Sequence, residues 1–523
     1  MQGSRIHIGL GDAIKVELPV ILAEARRKFI FLRYADIRVD ISEMQSAGAE
    51  SGMMKSSGRD YSLELYVRAI AGSAITASGS YGVSLGPADL GRFFEIAREA
   101  VATAYERAVY SAMNKVERRV SYGALGEMLH STELAPVPPV HDTYVVPAEI
   151  IPHEVPLARL EEAVRSVSGE IKARYKKVVM NAIGIGAWTE REIVATTEGT
   201  LVDQTFPFVE CFAYVQAVSG KIVQPHYDVL AHQGGFEIVE WGVNEEFVKF
   251  PNLMDFSLDL AAEASMLATA PKCPTTDRPV VVLTDPHYNT LLSHEIAGHP
   301  MELDRGLKME TAYAGRTWLL SGLDENMIGK RIGSELLSAY SDPLLPGYGH
   351  YRYDHEGTPA RRVTHIENGI FRGFMNSRQT SAILGDVPNG HYKANGGQVM
   401  PLIRMSNTVF AQGTSNPADM IAEVEHGYYI SGHRIPSIAE SRENFRISSR
   451  KVYEIRDGKL GEMYRDGGIM ADSRDFFMNV DAVGNDFRLY PIASCGKGQP
   501  MQVKRLGNGG PTIRSRAWLV GGE

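Results

Sequence analysis

The chain has 523 residues, which at roughly 150 residues per domain predicts two to four domains. Hydrophobic residues make up 44% and charged residues 22%, a composition that excludes a wholly disordered or collagen-like chain. The formal charge of −9 at pH 7 argues against direct nucleic-acid binding. Three cysteines are too few for a disulfide scaffold and indicate a reducing compartment.

Targeting signals are weak in this sequence. No segment reaches the roughly 20 uncharged apolar residues that a membrane-spanning helix needs. The residues from Met1 to Asp12 are polar and contain glycine, and so make a poor signal peptide. We therefore expect a cytoplasmic protein that has no membrane contact.

Two alternating segments near the N-terminus predict strands of an antiparallel sheet. Phe29–Ile41 and Tyr61–Ile70 show the period of two that is typical of half-buried strands, and Ser56–Gly58 predicts a turn between them. In the first strand, the residues expected to face the core are Ala35, Ile37, Val39 and Ile41, and those expected to face outward are Asp36, Arg38 and Asp40.

After these strands, the apolar residues recur at helical intervals, and the rest of the N-terminal part contains both predicted helices and predicted strands. Residues Asp89–Val116 place apolar side chains at helical intervals and predict a long amphipathic helix. Six prolines between residues 134 and 156 predict an extended connector. The further predicted elements are a helix at Pro156–Tyr175, strands at Lys177–Ile183 and Glu192–Thr197, and a helix at Phe256–Ala270.

The polar, proline-containing segment Pro271–Arg278 predicts the main domain boundary. Short strands and glycine turns dominate the residues that follow, and Asn368-Gly369 predicts a hairpin. The fold class is therefore α+β. We expect an N-terminal domain over 1–270, with an antiparallel sheet and long helices and divisible near 134–156, and a strand-rich C-terminal domain over 271–523.

The most informative motif is H-E-x-x-x-H at His294, Glu295 and His299. Asp285-Pro286 predicts a helix start directly after a buried strand, so the motif lies on a helix. Residues five apart on an α-helix diverge by roughly 140°, because each residue turns it by about 100°. The turn must therefore widen for both histidines to bind one ion, and Gly298 to Pro300 predicts such an irregular turn.

Two histidines do not complete a catalytic zinc site, which takes three protein ligands and an open position. Cys495 is a candidate third ligand, since small residues flank it and Lys497 would favour its thiolate form. The remaining alternatives are Asp354, His355 and Glu356, although a turn explains these three equally well. Cys211 fits a buried apolar residue, and Cys273 has no assigned role.

Four blocks, taken together and in this order, resemble the TldD/PmbA family. They are His294–His299 with Glu302 and Asp304, Asp354–Pro359, Arg404–Thr408, and Cys495–Gln499. In the N-terminal half, Tyr34–Arg38 and Gly82–Gly86 resemble the family as well.

The resemblance implies a TldD-type, zinc-dependent metallopeptidase. His294, His299 and Cys495 would bind one zinc ion per chain, and Glu295 would act as the general base. The implied substrates are unfolded or flexible peptides and modified-peptide precursors, with the substrate-binding residues unknown. A dimer is implied too, either with a second copy or with a PmbA-type paralogue.

The sequence departs from the family pattern at Pro300 and in the segment Ser431–Phe445, which lacks the usual glycine-rich stretch. Pro300 motivates an alternative hypothesis, a catalytically weak or inactive partner subunit that serves as a scaffold. The family's association with modulation of DNA gyrase suggests a third hypothesis, that the protein binds nucleic acid directly. The acidic charge and the absence of a basic run argue against that one.

Overall fold

The computed structural model describes residues 6–123, 129–323 and 325–522, so the first five residues of the Met1–Asp12 segment lie outside it. The α-helices of the described chain are α1 (Leu10–Lys28), α2 (Phe93–Ser121), α3 (Leu157–Arg174), α4 (Glu237–Trp241), α5 (Leu253–Leu267), α6 (Pro286–Leu292), α7 (Leu303–Gly306), α8 (Arg378–Leu384), α9 (Pro417–Ala422) and α10 (Ser473–Met478).

The strands fall into an N-terminal and a C-terminal series. The N-terminal series is β1 (Leu32–Glu50), β2 (Met53–Ala71), β3 (Ala77–Leu85), β4 (His141–Val145), β5 (Val178–Thr196), β6 (Leu201–Ser219), β7 (Ile222–Gln233), β8 (Val243–Asn244) and β9 (Lys249–Phe250). The C-terminal series is β10 (Val280–Thr284), β11 (Leu320–Gly322), β12 (Glu325–Asn326), β13 (Ala339–Ser341), β14 (Val363–Glu367), β15 (Ile370–Phe371), β16 (Tyr392–Lys393), β17 (Leu402–Ile403), β18 (Asn407–Phe410), β19 (His426–Ile438), β20 (Asn444–Arg456), β21 (Lys459–Tyr464), β22 (Gly467–Asp472), β23 (Ala482–Val483), β24 (Arg488–Lys497), β25 (Gln502–Gly510) and β26 (Ile513–Gly521).

The N-terminal sheet has seven strands in the order β3-β2-β1-β5-β6-β4, and β7 also pairs with β6. The predicted turn at Ser56–Gly58 is wrong, because these residues lie inside β2 and pair with β1. The chain reverses instead at Ser51 and Gly52, which have positive φ angles of 50° and 86°. The two strands predicted between Lys177 and Thr197 are one strand, β5, which pairs along its length with β1 and β6.

Helices cover one face of this sheet, much as the sequence predicts. The predicted helix at Asp89–Val116 is confirmed as α2, preceded by a 3₁₀ turn at Pro87–Arg92. It packs closely on β3 because Gly79 has no side chain; a Cβ there would lie 2.4 Å from the backbone oxygen of Ala104. The helix α3 packs on β1, β2 and β5, and α5 packs on β6 and β7. Within the proline-rich connector, β4 adds to the sheet parallel to β6.

The other face of β1 was expected to be exposed, and this expectation is wrong. Asp36, Arg38 and Asp40 are 3%, 1% and 4% exposed. C-terminal residues cover them: Arg38 contacts the His355 ring at 2.7 Å and donates to the Gly396 backbone oxygen at 2.6 Å. The alternation in β1 is therefore that of a strand buried on both faces, with apolar residues on one face and ion-paired residues on the other.

The C-terminal series forms two larger sheets, which makes the protein α+β with a strand-rich C-terminal part. One sheet runs β10-β19-β20-β22-β26-β23. Because β10 also pairs with β26, the strands from β10 to β26 in this order close into a ring, and β23 is attached to β26. The other runs β15-β14-β13-β18-β25-β24. The predicted hairpin at Asn368-Gly369 is confirmed; it joins β14 to β15, and both residues have positive φ. The domain boundary near residue 270 stays a prediction.

The helix α6 connects the two C-terminal sheets. It follows β10 directly and contacts β19 of the ring, as well as β24 and β25 of the second sheet. The end of α6 is therefore held between two sheets. Within the described chain, no helix combines the length and the apolarity that a membrane crossing would take.

We expect Arg68→Ala to lower the free energy of unfolding by about 3–5 kcal/mol, because it leaves buried carboxylates without their partner. Arg68 contacts Asp36 at 2.6 Å and Glu356 at 2.9 Å. Urea denaturation followed by tryptophan fluorescence measures the change, with Arg92→Ala at an exposed ion pair as the matched control. A variant at Arg68 that is as stable as the control would contradict this account.

Candidate metal centre

The helix that carries the motif begins as predicted. Asp285 accepts a hydrogen bond from the backbone nitrogen of Tyr288 at 2.6 Å, and Pro286 occupies the first helical position. The Tyr288 hydroxyl, buried in the core, donates to the backbone oxygen of Ile447 at 2.8 Å. The start of α6 is thus attached both to its own first turn and to β20.

The irregular turn that the H-E-x-x-x-H spacing requires is confirmed. After α6 the chain forms a π-helical turn over Ser293–Gly298 and then a 3₁₀ turn over His299–Met301. The wider turn brings the rings of His294 and His299 to a centroid distance of 4.6 Å. Gly298 permits close packing here, because a Cβ would lie 2.0 Å from the Met405 sulfur and that side chain would have to move. Pro300 sits in the 3₁₀ turn and does not separate the histidines.

The structure brings the three predicted ligands together. One ligand atom from each of His294, His299 and Cys495 lies within 4.8 Å of the other two. The Cys495 sulfur is 3.5 Å from Nε2 of His299. The three side chains are buried, with residue exposures of 4%, 3% and 2%. Among the described residues, no other group of three His, Cys, Asp or Glu side chains lies this close.

Hydrogen bonds at Nδ1 orient both imidazoles. Nδ1 of His294 is 3.2 Å from Oδ1 of Asn508, whose amide nitrogen donates to the Thr408 backbone oxygen. Nδ1 of His299 is 3.0 Å from the Glu302 carboxylate. Because both partners are acceptors, each Nδ1 is placed to donate a proton to its partner, and in the neutral ring this leaves the lone pair of Nε2 for a metal ion. This is the arrangement of metal-binding histidines.

A buried ion-pair network supports His299. The Glu302 carboxylate also contacts Arg305 at 2.7 Å and Lys497 at 3.1 Å, and Lys497 contacts Asp304 at 2.7 Å. Burial alone would raise the pKa of Glu302, but Lys497, His299 and Arg305 outweigh it and hold that pKa well below its usual value. Glu302 is therefore ionised and remains a strong acceptor for the imidazole.

The Cys495 thiol is ionised more easily than an ordinary cysteine. Burial raises its pKa, but His299, His294 and Arg404 together outweigh burial and hold the pKa well below its usual value. Arg404 also donates to the Cys495 backbone oxygen. Lys497, which the sequence suggested as the group favouring the thiolate, is instead paired with Glu302 and Asp304.

Glu295 lies at the same turn but is held by a residue that sequence reasoning missed. Its carboxylate forms a buried ion pair with Arg442. Burial raises the pKa of Glu295, whereas Arg442, His294 and His299 lower it more, so the pKa falls below its usual value. Arg442 and Asn508 lie 147 and 214 residues from their partners, and no local pattern pointed to either.

The alternative ligands lie away from this cluster. His355 and Glu356 contact residues of the N-terminal sheet, and Asp354 accepts from the backbone nitrogens of Glu356 and Thr358 in a turn. Cys211 is buried within β6, as expected for a small apolar residue, and burial raises its pKa. Cys273 is buried too, and burial raises its pKa to about 12.

The donor set fits zinc. Two neutral imidazoles and one thiolate are ligands that Zn²⁺ prefers, and three protein ligands leave a fourth position for water or substrate. Hard cations such as Mg²⁺ and Ca²⁺ favour oxygen ligands instead. The residues His294, His299 and Cys495 would hold the ion.

The C-terminal part of the chain is similar to known metallopeptidase domains. Residues 279–522 match the family profile described as the PmbA/TldA metallopeptidase C-terminal domain. A metalloprotease of Methanothermobacter thermautotrophicus is 29% identical over 385 residues, which cover 73% of this chain and 78% of that protein. The zinc metalloprotease TldD homolog of Saccharolobus solfataricus is 29% identical over 243 residues, or 46% of this chain and 51% of that protein.

The whole fold is similar to a solved structure as well. TldE from Thermococcus kodakarensis superposes with a TM-score of 0.63 at 17% identity, over 97% of this chain and 100% of that chain. At this level of identity the likeness concerns the fold alone. Taken together, the profile match over residues 279–522, the sequence relatives and the fold support a TldD/PmbA-type protein.

Proposed function

We propose that the protein is a zinc-dependent peptidase that cleaves flexible peptides. The observation that carries this proposal is the buried His294, His299 and Cys495 cluster, whose ligand atoms lie within 4.8 Å of one another. The name of the relative from Saccharolobus solfataricus, a zinc metalloprotease TldD homolog, supports zinc as the metal.

The residues at the cluster suggest separate roles in metal binding, proton transfer and orientation of the ligands. A zinc ion held there would act as a Lewis acid and lower the pKa of coordinated water towards ~7. Glu295 is beside a ligand without belonging to the ligand cluster, and would take a proton from the attacking water and pass it to the leaving amine. His294 and His299 are held by Asn508 and Glu302, so they keep their orientation while the proton moves.

The strand that carries Cys495 is compatible with the proposed substrate class. Within the described chain β24 is the last strand of its sheet and pairs only with β25. A groove of about 470 Å³ runs beside it, lined by Ala493 and Ser494 of β24 and by Gly184 and Gly186 of β5. An extended peptide could pair with such an edge through its backbone, which demands little of its sequence. Unfolded peptides and modified-peptide precursors fit this mode of binding.

Pairing with a second subunit belongs to the proposal. The likeness to TldE concerns the fold, and the family resemblance suggests either a homodimer or a heterodimer with a PmbA-type paralogue. The three buried free cysteines are compatible with the reducing cytoplasm that we propose as its location. The alternative of an inactive scaffold rested on Pro300. That argument is weaker now, because the ligands converge with Pro300 in place.

We expect the purified protein to contain about one zinc per chain, and Cys495→Ser to lose most of it, because a weaker ligand replaces the thiolate. Elemental analysis without added metal measures the content. Cys211→Ser serves as the matched control, since Cys211 lies in β6 away from the cluster. Wild-type protein that takes up no zinc, even when zinc is offered, would favour the scaffold alternative.

We expect Glu295→Gln to retain its metal and to lose peptide cleavage by about 10²-fold or more in kcat, because glutamine cannot accept the proton. Cleavage of an unstructured fluorogenic peptide, together with the metal content of the same preparation, tests this. Removal of the metal with a chelator should abolish the wild-type activity, and zinc should restore it. Full activity in the metal-loaded variant would refute the role of Glu295.

A further inference from the structure

Arg442 is buried beside the proposed general base, and its backbone conformation is strained. The residue is 4% exposed, and its guanidinium forms an ion pair with the Glu295 carboxylate. Its φ is 62°, in the left-handed region that residues other than glycine adopt rarely. Strain of this kind persists where the surrounding structure enforces it, and it clusters at functional sites. Arg442 also lies in the segment Ser431–Phe445, where the sequence departs from the family pattern.

A second strained segment holds the same guanidinium from another side. Tyr313 and Ala314 have φ angles of 54° and 56°. Arg442 donates from Nε to the Ala314 backbone oxygen at 3.2 Å and from Nη2 to the Tyr313 backbone oxygen at 3.4 Å. The backbone nitrogen of Trp318 donates to the backbone oxygen of Ser441 at 3.2 Å, which joins the two segments. Backbone groups therefore fix the position of the Arg442 guanidinium, and this position determines where the Glu295 carboxylate lies when the ion pair forms.

The position of Glu295 poses a chemical problem that this clamp solves. Carboxylates are zinc ligands as well as bases, and Glu295 directly follows His294. A free carboxylate there could fill the fourth coordination position, which a catalytic zinc site keeps open for water. In the structure, Glu295 is not part of the cluster whose ligand atoms lie within 4.8 Å of one another. Its side chain turns to Arg442 instead.

We propose that Arg442 is a positioning residue that holds the Glu295 carboxylate out of the metal's coordination sphere and so keeps the fourth position open. The inference rests on the proposed peptidase function. It also explains the strained backbone around residues 313 and 442, which holds the guanidinium in place. A purely structural ion pair would predict something else: loss of Arg442 would weaken the fold and leave the metal coordination unchanged.

The test removes the charge and keeps most of the side-chain volume, in Arg442→Met. We expect the visible absorption spectrum of the Co²⁺-loaded variant to differ from that of the Co²⁺-loaded wild type, because a carboxylate replaces water at the ion. Competition with a chromophoric chelator should show zinc bound about tenfold more tightly. On the unstructured peptide, kcat should fall about 10²-fold while KM stays within about twofold.

Three further variants separate positioning from other effects. Arg442→Met combined with Glu295→Gln should return the Co²⁺ spectrum to that of Glu295→Gln alone, because no carboxylate remains to bind. Arg442→Lys keeps a cation and should keep the wild-type spectrum; it also serves as the second variant if the methionine variant does not fold. Arg316→Met is the matched control, since Arg316 is an exposed arginine near the same strained segment and pairs with Glu440. It should change neither spectrum nor kcat.

The outcomes distinguish the two proposals. An Arg442→Met protein with the wild-type Co²⁺ spectrum and zinc affinity overturns the positioning role, whatever its kcat, if the wild type binds metal and cleaves peptide. A changed Co²⁺ spectrum in Arg442→Lys overturns it as well, since the cation is still present. A wild-type protein that binds no metal refutes the proposed function itself, and the inference falls with it.

Discussion

Two histidines five residues apart cannot share one face of a regular α-helix, and the candidate metal centre of this protein is built around the turn that resolves this mismatch. The π-helical turn at Ser293–Gly298 rotates His299 back towards His294. That turn contacts β18 and β25, so it is supported by the sheet whose edge strand carries Cys495. The absence of a side chain at Gly298 lets Met405 approach and close the packing.

Buried charge is the second constraint, and buried ion pairs extend from the candidate metal centre to the N-terminal sheet. An ionised group removed from water must be paired, since an isolated buried charge is very costly. At the centre, Lys497 and Arg305 compensate Glu302 and Asp304. Between the two halves of the chain, Arg68 contacts carboxylates from both. Buried ion pairs therefore join the two halves of the chain. Separating the halves would leave the charges of these pairs without partners.

Sequence reasoning succeeded where the determining interactions are local. The cap at Asp285, the irregular turn before Pro300 and the helix α2 each depend on residues within a few positions of one another. It failed where one face of an element is covered by distant chain: Asp36, Arg38 and Asp40 alternate as a solvent face would, yet C-terminal residues bury them. The helix α1 had no counterpart among the predicted elements.

The sequence by itself determined the candidate ligands and the need for a widened turn, because residue chemistry and helical periodicity are properties of the local chain. Only the tertiary structure decided which of the candidate third ligands lies beside the histidines, and that Asn508 and Glu302 orient them. Only the tertiary structure revealed that Arg442 forms an ion pair with Glu295, although the two residues are 147 positions apart in the chain. Contacts over such separations leave no periodic pattern in a single sequence, because they form only when the fold brings distant segments of the chain together.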